Sequence, residues 1–173
     1  MSIEDVKAAV RDVPDFPVEG IVFKDITPIL SDPDLFKKSC DALIEKAQSS
    51  GATYIAAIES RGFLFGAVMA RELHLPLIPV RKKGKLPHHT IAQSYELEYG
   101  EATLEVHIDA APRGARVLVV DDLLATGGTA AATILLLKKM GAEVVNISFL
   151  VELSFLHGRE KLDCPDIFAP IIF

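Results

Sequence analysis

Residues 116–129 read RVLVVDDLLATGGT, and the next stretch, 128–141, reads GTAAATILLLKKMG. The run 117–120 is apolar without alternation, as expected of a strand in a parallel sheet covered on both faces. The second stretch has the length and composition of a helix. Between them lie two aspartates and a Thr-Gly-Gly-Thr turn, which packing alone does not require. In an open parallel sheet, the carboxyl ends of the strands and the amino ends of the following helices converge on one edge, where ligands bind. The reading therefore puts Asp121 and Asp122 at that edge, where the strand ends.

The small residues Ala125, Thr126, Gly127, Gly128 and Thr129 let the backbone wrap closely around an anion. Amide N–H groups, the two threonine hydroxyls and the positive end of the helix are all donors there. A phosphate suits such a turn. Two carboxylates would repel the phosphate itself, but they suit the hydroxyls of an attached sugar or a magnesium ion, so the combination points to a phosphosugar. The bland alternative makes the aspartates helix caps and the glycines a tight connection. Two acids, two glycines and two threonines within nine residues speak for the ligand. Neither G-x-G-x-x-G nor G-x-x-x-x-G-K-[ST] occurs, so the turn is not that of a dinucleotide fold or a P-loop.

The rest of the chain repeats the alternation of strand and helix. TYIAAI, LPLIPVR and VVNISFLV read as strands and GFLFGAVMAREL as a helix, which together give an α/β fold with a mainly parallel sheet. Ser2 caps a short amphipathic helix carrying Ile3, Val6 and Val10, which breaks at Pro14 and Pro17. The following segment, PDFPVEGIVFKDITPILSD, lacks periodicity and reads as an irregular arm or hood. Ser31 or Asp32 then caps a helix with Pro33 at its first position; Leu35, Phe36, Leu43, Ile44 and Ala47 recur at helical spacing, a stripe for covering one sheet face. SYELEYGEATLEVHI alternates on both sides of Gly100, with Tyr95, Leu97, Tyr99, Leu104, Val106 and Ile108 on the apolar phase, so an antiparallel hairpin is expected. RKKGKLPHHT before it reads as a mobile basic loop. The expected organisation is a single domain, 1–173, with an N-terminal hood at 1–30 and an α/β core at 31–173 that carries a flexible flap at about 82–108.

The 173 residues carry a net charge of −6, which argues against a nucleic-acid binder, since such proteins need a broad excess of Lys and Arg. No run reaches the ~18 apolar residues of a membrane span, and the N-terminus has no signal-peptide core. Two distant cysteines suggest no disulfide framework; Cys40 reads as helix-core filling, Cys164 as a free thiol, and the compartment as cytoplasmic. His88 and His89 read as solvated loop residues rather than metal ligands.

The segments DFPVEGIVFKDITPIL, ESRGFLFGAVMA, PVRKKGKLP, SYELEYGEATLEVH and VVDDLLATGGTAAAT together resemble the adenine phosphoribosyltransferases, of the type I phosphoribosyltransferase family, over nearly the whole chain. That resemblance implies transfer of a 5-phosphoribosyl group from 5-phospho-α-D-ribose 1-diphosphate (PRPP) to adenine, giving AMP and diphosphate, with Mg2+ as cofactor held mainly through the substrate, by an enzyme working as a homodimer. It assigns Ala125, Thr126, Gly127, Gly128 and Thr129 to the 5-phosphate and Asp121 and Asp122 to the ribose hydroxyls. Arg61 goes to the pyrophosphate site, in a loop that can hold a non-proline cis peptide; Arg81, Lys82 and Lys85 join it there, some of them across the dimer interface. Glu98 would assist proton movement at the purine and Tyr99, on the flap, would shield the reaction. Phe23 would stack on adenine, Leu123 would pack opposite, and the backbone of Val22 and Lys24 would read the base edge. Lys24 stands where such proteins commonly have arginine, which keeps the charge but removes the planar fork. Exposed charge is the plain alternative for Glu98 and Lys83, and Glu96 is left to it. A relative acting on xanthine, guanine or orotate, and a non-catalytic sensor of PRPP, are the competing functions.

Overall fold

The computed structural model describes residues 2–96 and 100–173. Leu97, Glu98 and Tyr99, and with them the two flap assignments, lie outside the described residues. Contacts divide the chain into two compact units, Met1–Ala42 and Leu43–Phe173.

In the first unit, α1 (Ile3–Ala9) starts with the expected cap: the Ser2 hydroxyl accepts from the Asp5 N–H at 3.3 Å, and the Asp5 carboxylate accepts from the Ser2 N–H at 2.6 Å. The helix stops at Ala9, well before the prolines expected to break it. The expectation of an irregular arm is also corrected, because β1 (Arg11–Pro14) and β2 (Val22–Asp25) form an antiparallel ladder. Asp15 at φ 57° and Gly20 at φ 86° lie between them, and the Asp15 carboxylate accepts from the Gly20 N–H at 2.7 Å, closing the loop without periodic sequence. A four-residue helix, α2 (Thr27–Leu30), leads to α3 (Pro33–Gln48), which crosses from the first unit into the second. Asp32, not Ser31, is its cap: its carboxylate accepts from the N–H groups of Asp34 and Leu35 at 2.9 and 3.0 Å.

The second unit is built on an eight-stranded sheet in the order β10-β8-β7-β3-β4-β6-β5, with β9 also paired to β8. The strands are β3 (Tyr54–Ile58), β4 (Leu77–Lys82), β5 (Thr90–Glu96), β6 (Glu101–His107), β7 (Arg116–Leu124), β8 (Glu143–Glu152), β9 (Ile167–Phe168) and β10 (Ile171–Ile172). Pairings among β4, β3, β7 and β8 and of β8 with β9 and β10 are parallel; those of β6 with β4 and β5 are antiparallel. The mainly parallel sheet flanked by helices is as the sequence suggested. The runs 55–58 of β3 and 117–120 of β7 are apolar throughout because α4 (Gly62–Leu73) packs on β3 and β7 while α5 (Gly128–Met140) packs on β5, β6 and β8. Gly66 permits the close approach of α4: a Cβ there would lie 2.5 Å from that of Ala57.

β5 and β6 form the expected antiparallel hairpin, with Tyr95 opposite Ala102 and Glu96 opposite Glu101. It is longer than its periodic core, however, and begins at Thr90. The basic stretch 81–90 is likewise not one loop, since Arg81 and Lys82 are strand residues that pair with Glu105 and Leu104 of β6. The hairpin thus extends the sheet edge. Leu104 and Val106 are buried as the alternation required, but Ile108 falls beyond the end of β6 and is 49 % exposed.

Candidate active site

The site begins on β7. Pairing with β3 ends at Val120 opposite Ala57, whereas pairing with β8 continues to Leu124 opposite Glu152. Asp121 and Asp122 therefore lie inside the strand and not at its end as expected; they occupy the stretch where pairing with one neighbour has stopped. Alternation puts Asp121 and Leu123, half-buried, on one face and Asp122 and Leu124, buried, on the other. Burial, and then the charge of neighbouring Asp122, push the Asp121 carboxyl well above the usual carboxylate range. Asp121 also accepts from the Asp122 N–H at 2.9 Å.

The turn expected to cradle an anion follows β7. Gly127 has φ 80°, a left-handed conformation that glycine adopts without cost, and it precedes α5 with no side chain accepting from the first-turn N–H groups. Thr126 is exposed, Gly128 and Thr129 are half-buried, and the Ala131 N–H donates to the Gly127 carbonyl at 2.9 Å. The positive end of a 13-residue helix thus opens beside the two acids.

Arg61 follows β3 and its Nε donates to Asp122 Oδ2 at 2.5 Å. This joins two of the expected site residues across 61 positions of sequence. Two residues earlier the Glu59–Ser60 peptide is cis, in the loop where the resemblance placed one. Arg81 donates from Nε and Nη2 to the Glu59 carboxylate at 3.2 and 3.3 Å and from Nη1 to the Lys85 carbonyl at 3.2 Å; the Lys82 N–H donates to Glu59 at 3.0 Å. Burial opposes charge on Glu59, but these bonds outweigh it and hold the carboxyl below its usual range. The Lys82 and Lys85 side chains are exposed.

Of the residues expected at the base, Val22, Phe23 and Lys24 lie on β2 of the first unit and Leu123 on β7 of the second. The Phe23 ring meets Phe16 edge-on, centroids 5.2 Å apart, and Val22 is 49 % exposed. The Lys24 ammonium pairs with Asp12 at 2.5 Å, so its charge is anchored within the arm.

Several residues around the site escaped the sequence reading. Glu59 holds Arg81. Gly62 lies against β7, where a Cβ would come within 2.8 Å of the Val120 carbonyl and 2.9 Å of Asp121 Oδ1. Gly158 backs the turn: a Cβ on it would sit 2.1 Å from the Ala125 carbonyl. Thr129 Oγ1 donates to Tyr95 Oη at 3.1 Å, tying the hairpin to the first turn of α5. Only Tyr95 left a trace in the sequence, as a member of the hairpin's apolar phase; the others act through backbone proximity or an acid remote in sequence.

A model of the phosphoribosyl transferase domain matches residues 29–167. A Thermoanaerobacter protein named adenine phosphoribosyltransferase is 51 % identical over 173 residues, covering 100 % of both chains. The crystal structure of adenine phosphoribosyltransferase from Thermoanaerobacter pseudethanolicus superposes with a TM-score of 0.96 at 50 % identity, covering 99 % of this chain and 100 % of that one. The enzyme of that name from Saccharomyces cerevisiae, in complex with D-2,5-dideoxy-2,5-imino-altritol 1,6-bisphosphate and adenine, gives 0.92 at 42 % identity and 98 % coverage of each. With the strand, acids and anion turn already in place, these likenesses establish that the chain belongs to the adenine phosphoribosyltransferases.

Proposed function

We propose that the protein carries out the reaction of its family, transfer of the 5-phosphoribosyl group from PRPP to adenine with release of diphosphate. The observation that carries this reading is the Gly127 turn, whose uncapped helix start adjoins Asp121 and Asp122 on one strand. The turn 125–129 binds the 5-phosphate. Asp121 and Asp122 bind the ribose hydroxyls as acceptors, with Asp122 oriented by Arg61.

Arg61, Arg81, Lys82 and Lys85 form the pyrophosphate end, where positive charge stabilises the leaving group as the C1–O bond breaks. The bond electrons leave with diphosphate, N9 of adenine forms the new bond to C1, and the base gives up its proton. Glu98 is assigned to that proton movement and Tyr99 to shielding the reaction from water. Phe23 is assigned to stacking on adenine and the backbone of Val22 and Lys24 to reading its edge, in the first unit; Leu123, in the second, is assigned to packing on the base. The adenine bound in the yeast relative supports this choice of base over an oxopurine.

Among the described residues, no three His, Cys, Asp or Glu side chains gather to hold a metal. The diphosphate and ribose oxygens are instead the hard donors that magnesium favours, with Asp121 and Asp122 beside them. Bound there, magnesium would offset the charge growing on the diphosphate.

A homodimer is supported by the apolar residues Phe16, Val18, Ile21 and Val22, each 47–60 % exposed on the arm. A reduced, cytoplasmic setting is supported by two free cysteines, of which Cys40 is buried with its thiol pushed up to about 11 by that burial. No helix among the described residues is long and apolar enough to cross a membrane.

The test is to incubate the protein with PRPP, magnesium and equal amounts of adenine, hypoxanthine, guanine and xanthine, and to identify nucleotides by mass. AMP alone is expected; IMP, GMP or XMP would displace the base assignment, and no nucleotide would favour the sensor.

A further inference from the structure

The turn 125–127 is supported from behind by a segment outside the active site. Gly158 is buried and opens a short 3-10 turn, Gly158–Lys161. It meets the phosphate turn backbone to backbone: a Cβ on Gly158 would lie 2.1 Å from the Ala125 carbonyl and 3.0 Å from the Gly127 amide nitrogen, and a Cβ on Gly127 would lie 2.3 Å from the Gly158 carbonyl. The two backbones are in direct contact.

The next residue fixes where Gly158 sits. Arg159 donates from Nε to Glu152 Oε1 at 3.1 Å, from Nη2 to Glu152 Oε2, and from Nη1 to the Ile167 carbonyl at 2.8 Å. The Glu152 side chain is 7 % exposed and ends β8 directly opposite Leu124, the last residue of β7 before the turn. The Leu153 N–H donates to the Leu124 carbonyl at 2.9 Å. A closed ring of contacts therefore runs from Leu124 through Glu152, Arg159 and Gly158 back to Ala125 and Gly127. A two-pronged guanidinium–carboxylate pair is well suited to this, since its fork fixes direction as well as distance.

We propose that Glu152 and Arg159 are positioning residues that hold the 125–127 turn, through Gly158, in the shape that accepts the 5-phosphate. They touch no substrate. The proposal rests on the reading of 125–129 as the 5-phosphate site. It makes the affinity for that phosphate depend on an ion pair on its far side, while the pyrophosphate end around Arg61 and Arg81 is left alone.

The test is calorimetric titration of the full-length protein and its variants with ribose 5-phosphate and, separately, with magnesium pyrophosphate. Arg159→Ala is expected to weaken ribose 5-phosphate about tenfold, because small displacements of a binding group are costly even when caused from a distance. Pyrophosphate affinity is expected to stay within about twofold, the range of ordinary surface changes. Arg159→Lys, which keeps the charge without the fork, is expected to fall between wild type and Arg159→Ala, and it carries the test alone if Arg159→Ala does not fold. Thr126→Val provides the reference for the site itself. If it weakens ribose 5-phosphate and the Arg159 variants do not, the brace is overturned and the phosphate reading stands. Equal losses for both ligands in the Arg159 variants would mean general loosening and also overturn the brace. If Thr126→Val and the Arg159 variants all bind like wild type, the phosphate reading falls and takes the brace with it.

Discussion

On the proposed reading, the turn at 125–129 and the arm at 11–25 meet the substrate by opposite means. The turn sits between a nine-residue buried strand and a 13-residue helix, and its donors are backbone groups fixed by a left-handed glycine and by contact with Gly158. The arm is two four-residue strands, half of whose residues are exposed, held by pairs such as Lys24 with Asp12 and Arg11 with Asp25. A phosphate presents a fixed charge and shape, so a rigid backbone site serves it. A flat aromatic base is met by rings and a strand edge, which short, lightly anchored strands can supply.

The sharpest way to break this contrast is to place a side chain where the turn has none. Gly127→Ala needs both φ 80° and a Cβ 2.3 Å from the Gly158 carbonyl, so about 3 kcal/mol of stability should be lost along with ribose 5-phosphate binding. Urea unfolding and calorimetry measure the two losses. In the arm, Phe23→Ala should weaken adenine about tenfold, as expected for losing one stacked ring, and leave ribose 5-phosphate affinity unchanged. Titration with each ligand separates the outcomes; a joint loss would erase the division of labour.

A smaller effect should follow pH. The raised affinity of Asp121 for a proton means the folded chain holds more protons than the unfolded one above the usual carboxylate range. Its contribution to stability is therefore complete below the unfolded value and is lost as pH rises through the folded one. Thermal melts across that interval should show the decline, and Asp121→Asn should flatten it. Smallest of all is Lys24→Arg. The exposed partner Asp12 makes the pair worth roughly 0–1 kcal/mol, so melting and adenine affinity should both remain near wild type. A large gain in adenine affinity would instead show that the planar fork reaches the base.

The same contrast explains what the sequence made legible. The run 117–120 and the glycines after it carried the strand, the turn and the helix, because burial on both faces and left-handed backbone leave plain marks in residue type. The hairpin was visible in the alternation around Gly100. The β1–β2 ladder was not, since four residues ending in Pro14 give no period to read. The aspartates looked like a strand end because they are charged, while their backbones remain paired to β8. Gly158 and the Arg81–Glu59 pair were hidden for a different reason: one acts by lacking a side chain, the other joins residues 22 apart with α4 between them.

The most direct measurement is a crystal structure with AMP bound. It should place the 5-phosphate within hydrogen-bond distance of the 126–129 amides, the ribose hydroxyls on Asp121 and Asp122, and the adenine ring against Phe23 and Leu123. A phosphate held instead by Arg61 and Arg81, with the 125–129 turn empty, would contradict the account.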